Sequence, residues 1–176
     1  MFNLRALSPE RSPSPPPPAL RRVERNSLVG LLAVEDILLD VDAATPERVF
    51  NRIATSIGTR HGLREADVVA GLAAREQLGS TGLGHGVAIP HARLAGVTRL
   101  IAGFVRLRPA IDFDAPDGKP VSSLLVLLVP ELATDAHLVL LAQAASMLGT
   151  KALRERLETC VAAPEILAAL TGWRSR

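Results

Sequence analysis

The hydrophobic pattern of the chain changes character near residue 28. Before it, Ser8 to Ser27 reads SPERSPSPPPPALRRVERNS, proline, serine and charge with no apolar period on which to build a core. Residues 1–26 are therefore expected to form a disordered tail, and residues 27–176 the folded unit. After Leu28 the apolar positions fall into register. DILLDVDA (Asp36 to Ala43) alternates loosely as a strand does. In TPERVFNRIATSIGTRHG, Thr45 is a helix cap, Pro46 takes the first helical position and Glu47 lies in the first turn. Val49, Phe50, Ile53 and Ile57 recur at helical spacing as its buried face, and Gly58 and Gly62 mark its end.

A second helix is predicted over 64–75, with Val68, Val69 and Leu72 turned inward. Strands are predicted over 98–107 and 123–130, separated by DFDAPDGKP, whose Asp117-Gly118 pair is a strong turn signal. Helices over 135–148, 151–157 and 164–170 complete the pattern. Strands interleaved with helices in a chain of 176 residues, 48% of them apolar, predict one domain of the α/β or α+β layered class.

Composition narrows the function. The apolar run VSSLLVLLVP (Val121 to Pro130) is far shorter than the roughly 20 residues of a membrane helix, so no membrane insertion is expected. The single cysteine, Cys160, sits in an apolar helical pattern as a buried structural residue does, and it cannot form an intramolecular disulfide. With no secretory leader pattern at the start, a cytoplasmic location is expected. The formal net charge of +2 is unevenly placed: residues 1–26 hold five arginines and two acids, the remainder 15 basic and 16 acidic residues. The folded part is not basic, and with aromatics at 3% it offers no stacking platform, so no nucleic-acid partner is expected.

Chemistry concentrates in GSTGLGHGVAIPHAR, Gly79 to Arg93. Clustered glycines spend backbone entropy where unusual dihedrals or close approach are needed. Pro90 fixes its own torsion and biases Ile89 to an extended form, so VAIPH reads as a strand whose end delivers His91, with the upstream glycines turning backbone N–H groups toward an anion. A neutral imidazole is a good nitrogen nucleophile and can accept a phosphoryl group. Such transfer needs a permanent cation and hydroxyl donors, types supplied by Arg75 at the end of the preceding helix and by Ser80 and Thr81.

Spacing alone favours plainer roles: a hydrogen-bonded structural histidine at His91, a solvated cation at Arg75, turn caps at Ser80 and Thr81. Convergence on one loop favours the chemistry. The segment lacks the lysine of a nucleotide P-loop and the spacing of a dinucleotide fingerprint, GLGHGVA placing its glycines at 82, 84 and 86. The four histidines form no H-x-x-x-H pair, there is no C-x-x-C, and no metal or cofactor is expected.

REQLGSTGLGHGVAIPHAR (Arg75 to Arg93) resembles the phosphohistidine motif of the enzyme IIA domains of the bacterial phosphoenolpyruvate:sugar phosphotransferase system, fructose/mannitol and nitrogen-regulatory class. The resemblance continues through AIDFDAPDGKPV, LLVLLVPE and AHLVLLAQAASML. It implies the type-2 enzyme IIA fold, a mixed β-sheet sandwiched between α-helices. It also implies a phosphoryl group taken by His91 from the small carrier HPr or its nitrogen-branch relative. Arg75 then contacts the phosphate, Ser80 and Thr81 lie in the phosphate-holding segment, and His137 is a second histidine near the first. His85 is not treated as a second phosphoacceptor. With no attached IIB or membrane IIC segment, the resemblance implies a stand-alone regulatory protein whose phosphorylation state selects its targets, or else a sugar-uptake component serving a separate IIB.

Overall fold

The structure, a computed structural model, describes residues 28–132 and 136–174; the expected tail over 1–26 lies outside them. In chain order, 3-10 turns at Leu28–Leu31 and Val34–Asp36 lead into β1 (Ile37–Val41), then α1 (Pro46–Ile53), which continues through a π turn at Ala54–Gly58. Next come α2 (Glu65–Gln77), the short strands β2 (Gly82–Gly84), β3 (Val87–Ala88) and β4 (His91–Leu94), and the long strands β5 (Ile101–Ile111) and β6 (Val121–Pro130). The helices α3 (Ala136–Gly149), α4 (Lys151–Thr159) and α5 (Ala163–Gly172) follow.

The predicted local signals are the ones used. Thr45 caps α1 through its hydroxyl, which accepts from the Arg48 amide at 3.4 Å, with Pro46 in the first turn. Gly62 closes the segment at φ 72, a torsion glycine adopts without a Cβ penalty. Between residues 82 and 94, where only VAIPH reads as a strand, the chain contributes three short strands, too brief for a two-residue period to show.

The strands form one mixed sheet in the order β1-β5-β6-β3-β2, with β4 also on β6. β6 pairs antiparallel with β5 and parallel with both β3 and β4 along its other edge, so β3 and β4 are two pieces of one broken strand. The sheet is apolar on both faces. On one face Leu124, Val126 and Leu128 of β6 join Val49, Phe50 and Ile53 of α1 and Val68 and Leu72 of α2. On the other, Leu125 and Leu127 join Leu140 and Met147 of α3, Leu153 and Leu157 of α4, and Ile166 and Leu170 of α5. This is the expected sheet between helices. The continuous run SLLVLLV is thus explained: a strand covered on both sides has no polar alternation to show. Each fully buried aliphatic side chain contributes about 1.5–3 kcal/mol.

Arg106 of β5, buried among these layers, donates to the Leu157 and Cys160 carbonyls and bonds the Asp40 carboxylate at 2.9 Å. It ties the C-terminal end of α4 to the sheet. Cys160 is itself buried and unbridged.

Candidate functional site

Pro90 has no N–H, and the ladder with β6 breaks at Ile89-Pro90 before resuming at His91. His91 therefore stands not at a strand's far end, as VAIPH suggested, but at the first position after a break. The Pro90 carbonyl still accepts from the Leu127 amide at 3.0 Å, so the break is held in place. Across it the His91 ring reaches back, Nδ1 lying 2.8 Å from the Ile89 carbonyl oxygen. A carbonyl only accepts, so Nδ1 carries the ring proton and Nε2 keeps its lone pair. That lone pair accepts from Arg75 Nε at 3.0 Å.

What brings Arg75 there is a glycine one helical turn earlier. A Cβ on Gly71 would lie 2.5 Å from the Leu94 side chain and 3.2 Å from the Ala92 Cβ, so a side chain there would push Leu94 aside where α2 packs on β4. Residues 71 and 75 share a helix face, and close docking at the first aims the second at His91. The Arg75 Nη1 donates to the Gly79 carbonyl at 2.9 Å, which holds the guanidinium in plane.

Burial pushes the His91 pKa below the ordinary imidazole value, and the charge of Arg75 acts in the same direction. The Ile89 carbonyl and the Glu76 carboxylate oppose it. The result is a neutral ring with its unprotonated nitrogen facing a cation.

His137, in the first turn of α3, is buried and near enough to weigh on the His91 proton. It was an isolated helix histidine by spacing. Its Nε2 lies 3.0 Å from Nη2 of Arg93. Arg93 is a site residue that sequence reasoning passed over, although a signal existed: it is two positions from His91 on one strand and so shares its face. Among the described residues neither Arg75 nor Arg93 has a carboxylate within 4 Å. Two unneutralised guanidinium groups beside two imidazoles make a cradle for an anion.

Ser80 and Thr81, expected as donors to that anion, are placed in other bonds. The Ser80 hydroxyl donates to the Phe113 carbonyl at 2.6 Å and accepts from the Gly82 amide at 2.9 Å. The Thr81 hydroxyl and amide both donate to the Glu76 carboxylate, at 2.6 and 2.9 Å. Both residues lock the loop that follows Arg75. The glycines likewise answer to a protein neighbour: a Cβ on Gly82 would lie 3.0 Å or less from Ala115, and one on Gly84 about 3.1 Å from the Asp117 carboxylate. His85 forms the tip of the β2–β3 hairpin at φ 55 and donates its amide to Asp117 at 2.8 Å. The glycine-rich hairpin is thus shaped to fit the 112–118 turn, and the expected row of N–H groups aimed at an anion is spent in part on the Glu76, Ser80 and Asp117 side chains.

A cavity of about 620 Å³ opens on the far side of this loop, between α1 and α2 over Phe50 and Phe113, and neither His91 nor His137 lines it. No group of three or more His, Cys, Asp or Glu side chains among the described residues is disposed to hold a metal ion.

Residues 30–172 match the sequence model of the phosphoenolpyruvate-dependent sugar phosphotransferase system, EIIA 2. The chain belongs to this family. A curated EIIA relative, the nitrogen regulatory protein of Pseudomonas aeruginosa, is 46% identical over 125 residues, 69% of this chain and 80% of that one. The crystal structure of nitrogen regulatory protein IIA-Ntr from Neisseria meningitidis superposes with a TM-score of 0.77 at 45% identity, covering 82% of this chain and 99% of that chain. IIA mannitol from Escherichia coli, at 20% identity, has a TM-score of 0.68 over 79% of this chain and 98% of its own, and shares the fold. An EIIA domain has a phosphotransfer-carrier role. No helix among the described residues is long and apolar enough to cross a membrane.

Proposed function

We propose that this EIIA protein is a cytoplasmic phosphocarrier of the nitrogen-regulatory kind, phosphorylated reversibly on Nε2 of His91 by an HPr-type carrier. The observation that carries the reading is the His91 ring itself: Nδ1 is committed to the Ile89 carbonyl, and Nε2 is unprotonated against Arg75. In the transfer, the donor's phosphoryl bond breaks as the His91 Nε2–P bond forms. The new bond consumes the lone pair that Arg75 Nε–H was using, so the guanidinium turns onto a phosphoryl oxygen as negative charge arrives there. Nδ1 keeps its proton and goes on donating it to the Ile89 carbonyl, which supports the ring while it bears the group. Arg75 and His137 hold the phosphate; Ser80 and Thr81 hold the loop that holds Arg75.

Exposed apolar residues stand beside these groups along the chain: Leu78 after Arg75, and Leu138 and Val139 after His137. A phosphocarrier or a regulated target docks there, and phosphorylation changes the charge at the centre of that contact. The nitrogen regulatory names of the relatives at 45–46% identity support regulation over supply of a sugar-specific IIB protein. Intact-mass measurement after incubation with phosphoenolpyruvate, enzyme I and either HPr or its nitrogen-branch relative tests the reading. The wild-type chain gains one acid-labile phosphoryl group and His91→Ala gains none. A wild-type chain left unmodified by both carriers overturns it.

A further inference from the structure

Arg93 has no role in the mechanism above, yet it is built into the site. It shares the His91 face of β4, has no carboxylate within 4 Å among the described residues, and places Nη2 at 3.0 Å from Nε2 of the buried His137. A guanidinium only donates, so the nitrogen it meets must present a lone pair. We propose that Arg93 is a positioning residue that fixes the protonation pattern of His137: Nε2 held as an acceptor, the ring neutral, and its proton on Nδ1.

The two imidazoles of the site are then handled alike, each with Nε2 capped by an arginine. The arginines differ in reach: Arg75 comes from α2, and Arg93 from the strand that carries His91 itself. A phosphoryl dianion on His91 is a far stronger acceptor than an imidazole nitrogen, and charge-assisted bonds are roughly twice as strong as neutral ones. Once the group is on His91, Arg93 leaves His137 for a phosphoryl oxygen, and His137 is freed to change its proton arrangement. This last step rests on the function proposed above; the tautomer assignment does not.

The test is nitrogen-15 NMR of histidine-labelled full-length protein at about pH 8, above the ordinary imidazole range, comparing wild type, Arg93→Lys and Arg93→Ala. In wild type the His137 signals show Nε2 unprotonated and Nδ1 protonated. In Arg93→Ala they shift toward a mixture of tautomers while the His91 signals keep their pattern, and phosphoryl transfer slows about tenfold, the smaller share expected of a group acting through another. Arg93→Lys, which keeps the charge and a donor, recovers part of the His137 pattern. A His137 spectrum unchanged in Arg93→Ala overturns the proposal, even if transfer slows. So does a wild-type His137 with its proton on Nε2. If the wild-type chain is never phosphorylated, the functional reading falls while the spectra still decide the role of Arg93.

Discussion

Two histidines of this chain sit in opposite company. His61, just past the π turn of α1, lies with Nε2 3.0 Å from Oδ1 of the buried Asp36, and the same oxygen takes Arg60 at 2.7 Å. His91 meets no carboxylate; its Nε2 faces the guanidinium of Arg75. At His61 a buried acid is matched by cationic and polar donors, the charge is closed, and the cluster pins the entry to β1 against the end of α1. At His91 the acceptor nitrogen is bonded to a guanidinium, and among the described residues no carboxylate pairs with Arg75 or Arg93, so under the proposed function an incoming anion finds cationic partners there. Residue type is the same in both; under the proposed function, what separates a fastener from a reaction centre is which charge is left over.

The sharpest break in that comparison is Arg75→Ala. Removing one preorganised donor to developing charge typically costs about a hundredfold or more. The expected result is a phosphoryl-transfer rate lower by about two orders of magnitude with circular dichroism and melting close to wild type, since Arg75 bonds only a ring nitrogen and the exposed Gly79 carbonyl. An unaltered rate removes Arg75 from the chemistry and makes the His91 cluster as structural as that of His61.

The matching change on the other side is Asp36→Asn, which keeps volume and an acceptor oxygen but removes the charge that Arg60 and His61 share. Charge-assisted bonds contribute about 1.5–3 kcal/mol, and Arg60, with 39% of its side chain exposed, recovers some hydration, so about 2 kcal/mol of stability should be lost. Denaturant unfolding measures it, and the initial rate of His91 phosphorylation should stay within twofold of wild type. A large loss of transfer with little loss of stability would mean that the two histidine clusters are coupled.

The layered fold was legible because its cues are local and repeated: the Thr45-Pro46 start of α1, the inward positions of α2, and the apolar runs of β5 and β6. Three features were not. The strand pieces at Gly82–Gly84 and His91–Leu94 are too short for periodicity to register, and VAIPH shows as one strand rather than as Val87–Ala88 and His91–Leu94 either side of a break, both of which pair with β6 from far along the chain. Ser80 and Thr81 are of the right type for a phosphate site, but their hydroxyls are taken by Phe113 and Glu76, partners that only the folded chain brings near. His137 entered through family resemblance alone. Arg93 was within reach of sequence reasoning, since a strand resuming at His91 puts residue 93 on its face, but treating His91 as the end of a strand hid it.

The smallest effect concerns pH. Burial, seconded by the charge of Arg75, lowers the His91 pKa below 6.5, so the ring stays neutral and competent where an exposed histidine is already half protonated. The acid limb of the phosphorylation rate should therefore lie below pH 6.5, the ordinary imidazole value. Stability follows the same linkage. As pH falls through that value the unfolded chain binds a proton that folded His91 refuses, so its contribution is present above 6.5 and is lost between 6.5 and the lower folded value. Arg75→Ala removes a neighbouring positive charge that lowers the pKa but leaves burial in place, so the His91 titration should move only part of the way back toward 6.5. An NMR titration of His91 in both proteins checks this. A wild-type ring titrating at or above 6.5 would show that Glu76 and the Ile89 carbonyl outweigh burial, and that neutrality at this site is not what distinguishes His91 from an ordinary surface histidine.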